Sequence, residues 1–573
     1  MTVQDTPRED PQRPRTPPAE PSQATAEADR RHPVDRVIFG VAAALVIAFI
    51  AWGTAATDTL SEVATYVLNG VMSAGGWAFV LAASGFVVFA LWLAFSRYGK
   101  IPLGRDDEGP EFRTVSWVAM MFSAGMGIGL MFYGVNEPLT HFTSPPPGTV
   151  AAGEPAALDV AMATTLFHWT LHPWAIYAVV GLAIAYSTFR RGRRQLISSA
   201  FAPLLGERRT EGPLGKSIDI LAIFATLFGS AASLGLGTLQ IGAGLQLNGV
   251  PAAGKPLLVG IIAFLTVAFV ASAVTGVAKG IQWLSNINMV LAGVLALVVF
   301  VGGPTILILN LLPTAIGDYV GNLSDMAART AATGGDATAV WLSGWTVFYW
   351  AWWISWTPFV GMFIARISRG RSIRQFVVGV ILIPSAVSLV WFAIFGGAAI
   401  DQQRAVDPTG AVGLAADSAE GQLFGLLSTM PLGNVLSILA MVLIAIFFVS
   451  GADAASVVMG TLSSRGSIEP ARWVVVFWGV VMGGIAIVML LVSGEDGEAL
   501  TGIQNITIIM AAPFAVVMIA LCVALTKDLR SDPLVRRDDR SARAVEQAVA
   551  YGTKNFGDDF YLPVKPEQNG REH

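Results

Sequence analysis

Cysteine and charge are both scarce in this chain of 573 residues. Cys522 is the only cysteine and lies in the last long apolar run, which excludes an intrachain disulfide and a thiolate metal site. Charged side chains make up 13% of the sequence, against about 25% in a typical soluble protein. Hydrophobic residues make up 54%, and the mean hydropathy is +0.61. The composition predicts a polytopic membrane protein, and nothing in the net charge of -4 indicates nucleic-acid binding.

Long apolar runs recur along the chain. A bilayer-spanning helix needs about 20 apolar residues, and windows of this kind begin near residues 37, 76, 115, 159, 217, 256, 281, 341, 373, 433, 470 and 500. We therefore predict an all-α protein with about twelve transmembrane helices. No signal peptide is expected, because the first apolar run follows a long polar segment and is long enough to span the membrane.

Basic residues are concentrated in alternate connections between these runs. One set includes Arg190, Arg191, Arg193 and Arg194, whereas the other set offers only Lys255, Arg329 and Arg404. Because loops rich in lysine and arginine stay in the cytoplasm, both termini are predicted to be cytoplasmic.

The chain divides into six predicted segments. They are a disordered cytoplasmic tail (1–34), two peripheral helices (35–114), a first five-helix repeat (115–311), an extracellular amphipathic connection (312–340), a second five-helix repeat (341–527) and a cytoplasmic C-terminal tail (528–573). The N-terminal tail has too few large apolar side chains to fold alone. The C-terminal tail mixes both charges and is interpreted as a regulatory element on anionic lipid or cytoplasmic loops, or as a plain solvated tail.

Tryptophan is concentrated in one apolar segment. Six tryptophans fall between Trp341 and Trp356, namely Trp341, Trp345, Trp350, Trp352, Trp353 and Trp356. Pro358 follows and is predicted to break this helix near its middle. Aromatic faces beside a broken membrane helix suggest a cage for an organic cation.

A glycine run interrupts the third predicted span. Three glycines alternate in the segment from Ser123 to Gly129, and each costs a helix about 1 kcal/mol relative to alanine. An unwound segment is favoured over close helix packing, because packing motifs place small residues four apart. The two interrupted spans are five apart in order, which suggests two repeats whose broken helices meet at the membrane midplane.

The fourth span supplies further aromatic rings around Pro173. Trp174 and Tyr177 are three apart and share a helix face, and a bend at Pro173 would turn Trp169 toward them. Together with Trp353 they could form four walls around a methylated ammonium group. The alternative is that these rings only pack or lie at the membrane interface.

Other polar residues give weaker signals. His168 and His172 are four apart, but no nearby carboxylate completes a metal site in the sequence. Asp453 is an acid within the tenth span, where a proton relay and local bracing of the helix are both open. A membrane enzyme would need a fuller set of catalytic groups, and a closed aromatic cage argues against a channel.

At these residues the chain resembles the betaine/carnitine/choline transporter family. The similarity is carried by Gly125-Met-Gly-Ile-Gly129, by Trp169 to Tyr177 and by Trp350 to Phe359, and extends over about residues 35 to 530. It implies a LeuT-like fold with a 5+5 inverted repeat after two extra helices, often a homotrimer in a bacterial cytoplasmic membrane. The pattern is most similar to the family's sodium-coupled glycine betaine symporter, and no cofactor besides the coupling ion is implied.

The resemblance also implies site residues for a zwitterionic substrate. The ammonium group would lie among Trp169, Trp174, Tyr177 and Trp353. The carboxylate would meet Ser355 and the backbone from Ala124 through Met126 to Gly127, with Trp352 and Trp356 along the path. Choline carriers of the family have an aspartate where this chain has Gly129, so a zwitterion is expected. Proton-coupled or exchange transport of choline, carnitine or ectoine is the alternative.

Two sodium sites follow from the same resemblance. One matches Thr226, Ser230 and Phe359, and the other matches Ser123 and Met126 through carbonyls with Phe447 and Ser450. Hydroxyl and carbonyl oxygens suit a hard cation. Gly451 stands where a second hydroxyl is expected, which puts a stoichiometry of two sodium ions in question. Osmotic activation through the C-terminal tail is a further expectation from the resemblance.

Overall fold

The computed structural model describes residues 34–125, 127–251, 254–275, 277–492, 499–557 and 559–562. Regular structure in these ranges is helical, apart from one isolated bridge between Pro102 and Ser372. The N-terminal tail that was predicted to be disordered lies almost entirely outside the described residues.

Seventeen longer helices are numbered here in chain order. They are α1 (Arg36–Ala55), α2 (Thr57–Phe95), α3 (Thr114–Gly125), α4 (Ile128–Thr143), α5 (Pro155–Trp169), α6 (Leu171–Ala185), α7 (Pro213–Leu247), α8 (Gly254–Thr275), α9 (Val277–Gly302), α10 (Thr305–Gly321), α11 (Ala331–Gly344), α12 (Thr346–Ile367), α13 (Ile373–Val406), α14 (Gly433–Ser463), α15 (Arg472–Leu491), α16 (Ala499–Arg530) and α17 (Pro533–Phe556).

Nine helical segments of the described chain are long and apolar enough to cross a membrane, counting α5 with α6 as one. A tenth comprises Ile287–Gly302 of α9 and α10, which are bent by 108° to each other. The two remaining predicted spans correspond to the broken pair α3 and α4 and to the tryptophan-rich α12. All the predicted spans are therefore helical, and they appear in the predicted order.

The third span is interrupted at the glycine run. Helix α3 ends at Gly125 and α4 begins at Ile128, and Gly127 between them is fully extended (φ −172°, ψ −177°). The predicted unwinding of this span is confirmed for the residues described. Glycine offers no side chain to stabilise helix and exposes its backbone groups, which explains why the interruption falls here.

The predicted break at Pro358 is wrong. Helix α12 runs without interruption through this proline. Pro358 cannot donate to the carbonyl of Ile354, but the Thr357 hydroxyl donates to that carbonyl at 2.6 Å instead. A threonine side chain therefore takes over the missing backbone bond, as it can in membrane helices.

Two other kinks shape the segment around the tryptophans. Thr170 separates α5 from α6 with non-helical angles (φ −116°, ψ −104°). It lies three residues before Pro173, which removes a hydrogen bond from this turn. Trp345 separates α11 from α12 in the same way (φ −123°, ψ −88°). The second interruption thus precedes the tryptophan helix instead of dividing it.

The helices of the two predicted repeats pack against each other in related pairs. Helix α6 packs on α12, and α4 packs on α13. If α3 to α9 and α12 to α16 are equivalent repeats, these two contacts are exchanged by one twofold relation. Helices α7 and α14, which hold the same place in the two repeats, also contact each other. This arrangement agrees with the 5+5 organisation.

Candidate functional site

A cavity lies where α4, α5, α6, α12 and α13 meet. The space not filled by protein atoms is about 480 Å³, part of it open to solvent. All six aromatic residues predicted to bind substrate line it. The lining residues are Gly127, Gly129, Leu130, Trp169, Pro173, Trp174, Tyr177, Trp352, Trp353, Trp356 and Ser388.

The four predicted wall rings form a continuous chain of ring contacts. Trp169 meets Trp353 edge to face with ring centres 4.9 Å apart, and Trp174 meets Tyr177 in the same way at 5.3 Å. Tyr177 reaches Trp353 at 6.2 Å. Trp352 stacks on Trp353 at 4.9 Å, which gives the wall a second layer. The structure therefore brings together rings from three helices, which one helix face could not do.

Each of the three α12 indoles that line the cavity is held through its ring nitrogen. Trp353 donates to the carbonyl of His168 at 3.0 Å, and Trp356 donates to the carbonyl of Gly229 at 2.9 Å. Trp352 donates to the hydroxyl of Ser233 at 3.2 Å. These hydrogen bonds fix the orientation of the three rings that line the cavity.

Gly129 is required by the packing of the rings. A Cβ atom at this position would come within 2.8 Å of the Cη2 atoms of both Trp169 and Trp352. The Cβ atom of an aspartate, which the resemblance associates with choline carriers, would therefore collide with two indoles of the cavity. Gly127 also lines the cavity, but a Cβ atom there would meet nothing within 4 Å.

The residues predicted to receive the carboxylate are only partly described. The side chain of Ala124, and Met126 as a whole, lie outside the described residues, as does the side chain of Ser123, which was predicted for the second sodium site. Ser355 is buried and is not among the lining residues, and its hydroxyl donates to the Trp352 carbonyl at 2.6 Å. Its contact with a carboxylate stays a prediction. Ser388 of α13 also lines the cavity, but it was not predicted from the sequence.

The remaining tryptophans of the cluster do not line the cavity. Trp350 stacks on His172 at 5.0 Å. Trp345 packs on His141 at 4.5 Å, and the Arg329 guanidinium lies 5.1 Å from the ring centre of Trp341. These three rings pack among other side chains.

The expectation that His168 has no carboxylate nearby is wrong. The Nδ1 atom of His168 lies 2.6 Å from Oε1 of Glu137, and both side chains are fully buried. Oε2 of the same carboxylate accepts from Trp169 at 2.6 Å and from Tyr349 at 2.5 Å. Glu137 is 31 or more positions from each of these partners, so sequence spacing could not connect them. Its presence within a predicted span was the available signal.

The residues of the first predicted sodium site lie at the contact between α7 and α12. Thr226 and Ser230 are buried on α7, next to Gly229, whose carbonyl binds Trp356. Phe359 packs edge to face on the same Trp356 at 5.7 Å. The Thr226 hydroxyl donates to its own helix at Ala222, 2.9 Å away, which leaves its oxygen lone pairs for a cation.

The second predicted sodium site is described only on α14. Phe447 is buried, and the Ser450 hydroxyl donates to the Phe447 carbonyl at 3.3 Å. A Cβ atom at Gly451 would meet nothing within 4 Å, so open space stands where a second hydroxyl was expected. Asp453, one turn further, accepts a hydrogen bond from Ser272 at 2.9 Å.

Comparison with known proteins places this chain in a family. The family model described as BCCT, betaine/carnitine/choline family transporter, matches residues 37–534. The chain therefore belongs to the betaine/carnitine/choline transporter family and is a membrane transporter, not an enzyme.

Individual relatives agree with this assignment. The chain is 47% identical over 539 residues to the betaine/ectoine transporter LcoP of Corynebacterium glutamicum, covering 94% of this chain and 84% of LcoP. It is 45% identical over 512 residues to the glycine betaine transporter OpuD of Bacillus subtilis, covering 89% and 97%. Among solved structures, a Na⁺-coupled sialic acid symporter in a substrate-bound outward-open state matches 80% of this chain and 85% of its own, with 15% identity and a TM-score of 0.43.

Proposed function

We propose that this transporter imports glycine betaine by sodium symport with alternating access. The observation that carries the proposal is the lining of the cavity, which is rich in indole rings and contains no charged side chain among the described residues. A desolvated cation-π contact contributes about 2 kcal/mol. Several rings can offset the dehydration of a weakly hydrated trimethylammonium group, but not that of a sodium ion or a lysine.

A zwitterion fits this lining better than choline does. The extended backbone at Gly127 borders the cavity, and its N–H group can donate to a carboxylate. The packing at Gly129 also disfavours an aspartate that would balance a net cation. Ectoine is the second candidate substrate, because the similar LcoP is named for both betaine and ectoine. The cellular role that follows is osmoprotectant uptake.

Sodium is proposed as the coupling ion on the basis of the hydroxyl groups at the contact between α7 and α12. Each sodium ion that accompanies a neutral zwitterion moves one charge, which contributes about 2.3 kcal/mol per 100 mV. At a membrane potential of about 100 mV, this free energy would concentrate the substrate roughly fortyfold for each sodium ion. The protein is proposed to act as a homotrimer in a bacterial cytoplasmic membrane, with both termini cytoplasmic and the C-terminal tail on anionic lipid.

Uptake of radiolabelled glycine betaine into proteoliposomes tests this function. Uptake is expected to require an inward sodium gradient and to rise when potassium and valinomycin make the interior negative. Excess unlabelled betaine should inhibit uptake far more than choline does, and inhibition by ectoine would establish the second substrate. Uptake that is driven equally well by a proton gradient without sodium, or that choline inhibits best, would contradict the proposal.

A further inference from the structure

Glu137 lies behind the cavity, on α4. Its side chain is fully buried and accepts hydrogen bonds at both oxygens. Oε2 accepts from the indole nitrogen of Trp169 and from the hydroxyl of Tyr349. Oε1 faces Nδ1 of His168, whose other ring nitrogen lies 2.9 Å from the Thr346 hydroxyl.

The partners of Glu137 favour its ionised form. An indole nitrogen only donates, and an ionised carboxylate only accepts. With one neutral tautomer of His168, donors face both oxygens and no carboxyl proton is needed. Within the described residues, Glu137 forms ion pairs only with His168 and His141, and no lysine or arginine contacts it as a permanently charged counter-ion.

A metal ion is a poor alternative for this cluster. The candidate ligand atoms of Glu137, His141 and His168 all lie within 4.8 Å of one another. However, Oε1 and the His168 nitrogen are only 2.6 Å apart, which is a hydrogen-bond distance. Two ligands about 2.0 to 2.2 Å from a tetrahedral zinc ion would stand farther apart than this. The cluster is closed by its own hydrogen bonds.

Trp169 links this carboxylate to the cavity. One edge of its indole donates to Glu137 at 2.6 Å, while the ring lines the cavity beside Trp353. A charge-assisted hydrogen bond of this kind fixes the ring more firmly than a neutral one. The negative charge behind the ring also adds to the attraction that its π face exerts on a cation.

We propose that Glu137 is a positioning residue that orients Trp169 and places a negative charge behind the aromatic cage. It directs the quaternary ammonium group of the substrate toward Trp169 and leaves the substrate carboxylate toward Gly127 at the start of α4. The inference rests on the proposed function, because it assigns a charge on the protein to one end of a zwitterion. The missing counter-charge of Glu137 is then supplied by the bound ammonium group.

The variant Glu137→Gln tests the proposal by glycine betaine uptake. Its KM is expected to rise about tenfold, as the loss of a buried charge-assisted hydrogen bond implies, while kcat changes less than about threefold. Asp219→Asn is the matched control, because Asp219 is a buried carboxyl on α7 that does not line the cavity. It accepts hydrogen bonds from the backbone N–H and the hydroxyl of Ser198. Its KM is expected to stay within about twofold of wild type.

A double-mutant cycle with Trp169→Phe separates positioning from a general structural role. Phenylalanine has no N–H to donate to Glu137, so Glu137→Gln should raise KM less than about twofold further in this background. Glu137→Asp, which keeps the charge but draws it back by one methylene, serves if the glutamine variant does not fold. Its KM should rise about threefold, again only when Trp169 is present.

The outcomes separate the two proposals. A wild-type protein that takes up no quaternary ammonium zwitterion overturns the proposed function and this inference with it. An active wild type whose KM is unchanged in Glu137→Gln, or rises equally in both backgrounds, overturns the inference alone.

Discussion

The aromatic cavity and a cluster of ion pairs at the end of α6 hold helices together in opposite ways. The arginine–aspartate cluster comprises Arg190, Arg191 and Arg193 with Asp528 and Asp532. Arg190 Nε lies 2.9 Å from Asp532, and Arg193 Nη1 lies 2.5 Å from Asp528. The cavity joins α5, α6 and α12 through aromatic rings, whereas the cluster joins the end of α6 to α16 and α17 through directed charges.

The aromatic cavity can form and release contacts with a substrate, whereas the arginine–aspartate cluster keeps its contacts permanently. Ring faces attract any weakly hydrated cation and demand no single hydrogen-bond geometry. The cluster satisfies each carboxylate with fixed donors: Asp532 also accepts from the Tyr186 hydroxyl at 2.8 Å and from the Leu534 N–H at 2.9 Å. A substrate can enter and leave the first region, while the second anchors the start of the C-terminal tail.

Removing one ring face should give the largest effect on transport. Trp353→Leu keeps an apolar side chain but loses the cation-π contact, so the KM for betaine is expected to rise about thirtyfold. Trp350→Leu is the matched control, because Trp350 packs on His172 outside the cavity. It should lower the melting temperature and leave KM within about twofold. Equal rises in KM would remove the distinction between wall and packing tryptophans.

Breaking the cluster should affect stability and leave substrate affinity unchanged. Asp532→Asn is expected to lower the free energy of unfolding by about 2 kcal/mol at neutral pH. This is less than the loss expected when one partner of a fully buried ion pair is removed. The measurement is thermal unfolding in detergent, with KM as the second readout. Asp106→Asn removes an exposed partner of the same Arg190 and should cost less than about 0.5 kcal/mol. A large KM change in Asp532→Asn would mean that the two regions are coupled.

The stabilisation that Asp532 provides should depend on pH. Burial alone would raise the pKa of Asp532, but Arg190 and the Leu534 N–H outweigh it and hold the pKa below the usual 3.8. A carboxyl whose pKa is lowered by folding stabilises the protein above its unfolded pKa. The stability difference between wild type and Asp532→Asn should therefore be complete above about pH 5 and shrink below pH 3.8. A difference that grows with acid would contradict this assignment.

The smallest expected effect is at Gly451, where a hydroxyl can be added. Gly451→Ser enters open space and should lower the sodium concentration for half-maximal uptake by about threefold, because it adds a hard oxygen ligand. Gly451→Ala adds carbon without oxygen and should leave sodium dependence unchanged. If serine and alanine act alike, Gly451 does not adjoin a sodium site.

The sequence correctly predicted the interruption of the third span, but the break that it predicted at Pro358 in the eighth span is wrong. The glycine run near Gly127 lacks side chains to support a helix, so the signal and its cause lie in the same few residues. At Pro358 the outcome depended on Thr357, whose hydroxyl binds the carbonyl that proline leaves free. A sequence pattern shows the missing donor at Pro358, but not the rotamer that replaces it.

The cavity was partly predictable for the same reason. Trp169, Trp174, Tyr177 and Trp353 belong to two short segments whose composition marks them as unusual. Ser388 is an ordinary serine in an apolar helix, and only the contact of α13 with α6 brings it to the cavity. Such residues are set by tertiary packing, which has no local signature.

The close packing at Gly129 limits how substrate choice can evolve in this protein. A single added carbon would come within 2.8 Å of both Trp169 and Trp352. A change from glycine to aspartate, which the resemblance associates with choline, would therefore disturb the cage before it could serve a new substrate. At least one of these tryptophans would have to shift to admit the aspartate, so the substrate preference at this position is tied to the placement of the cage rings.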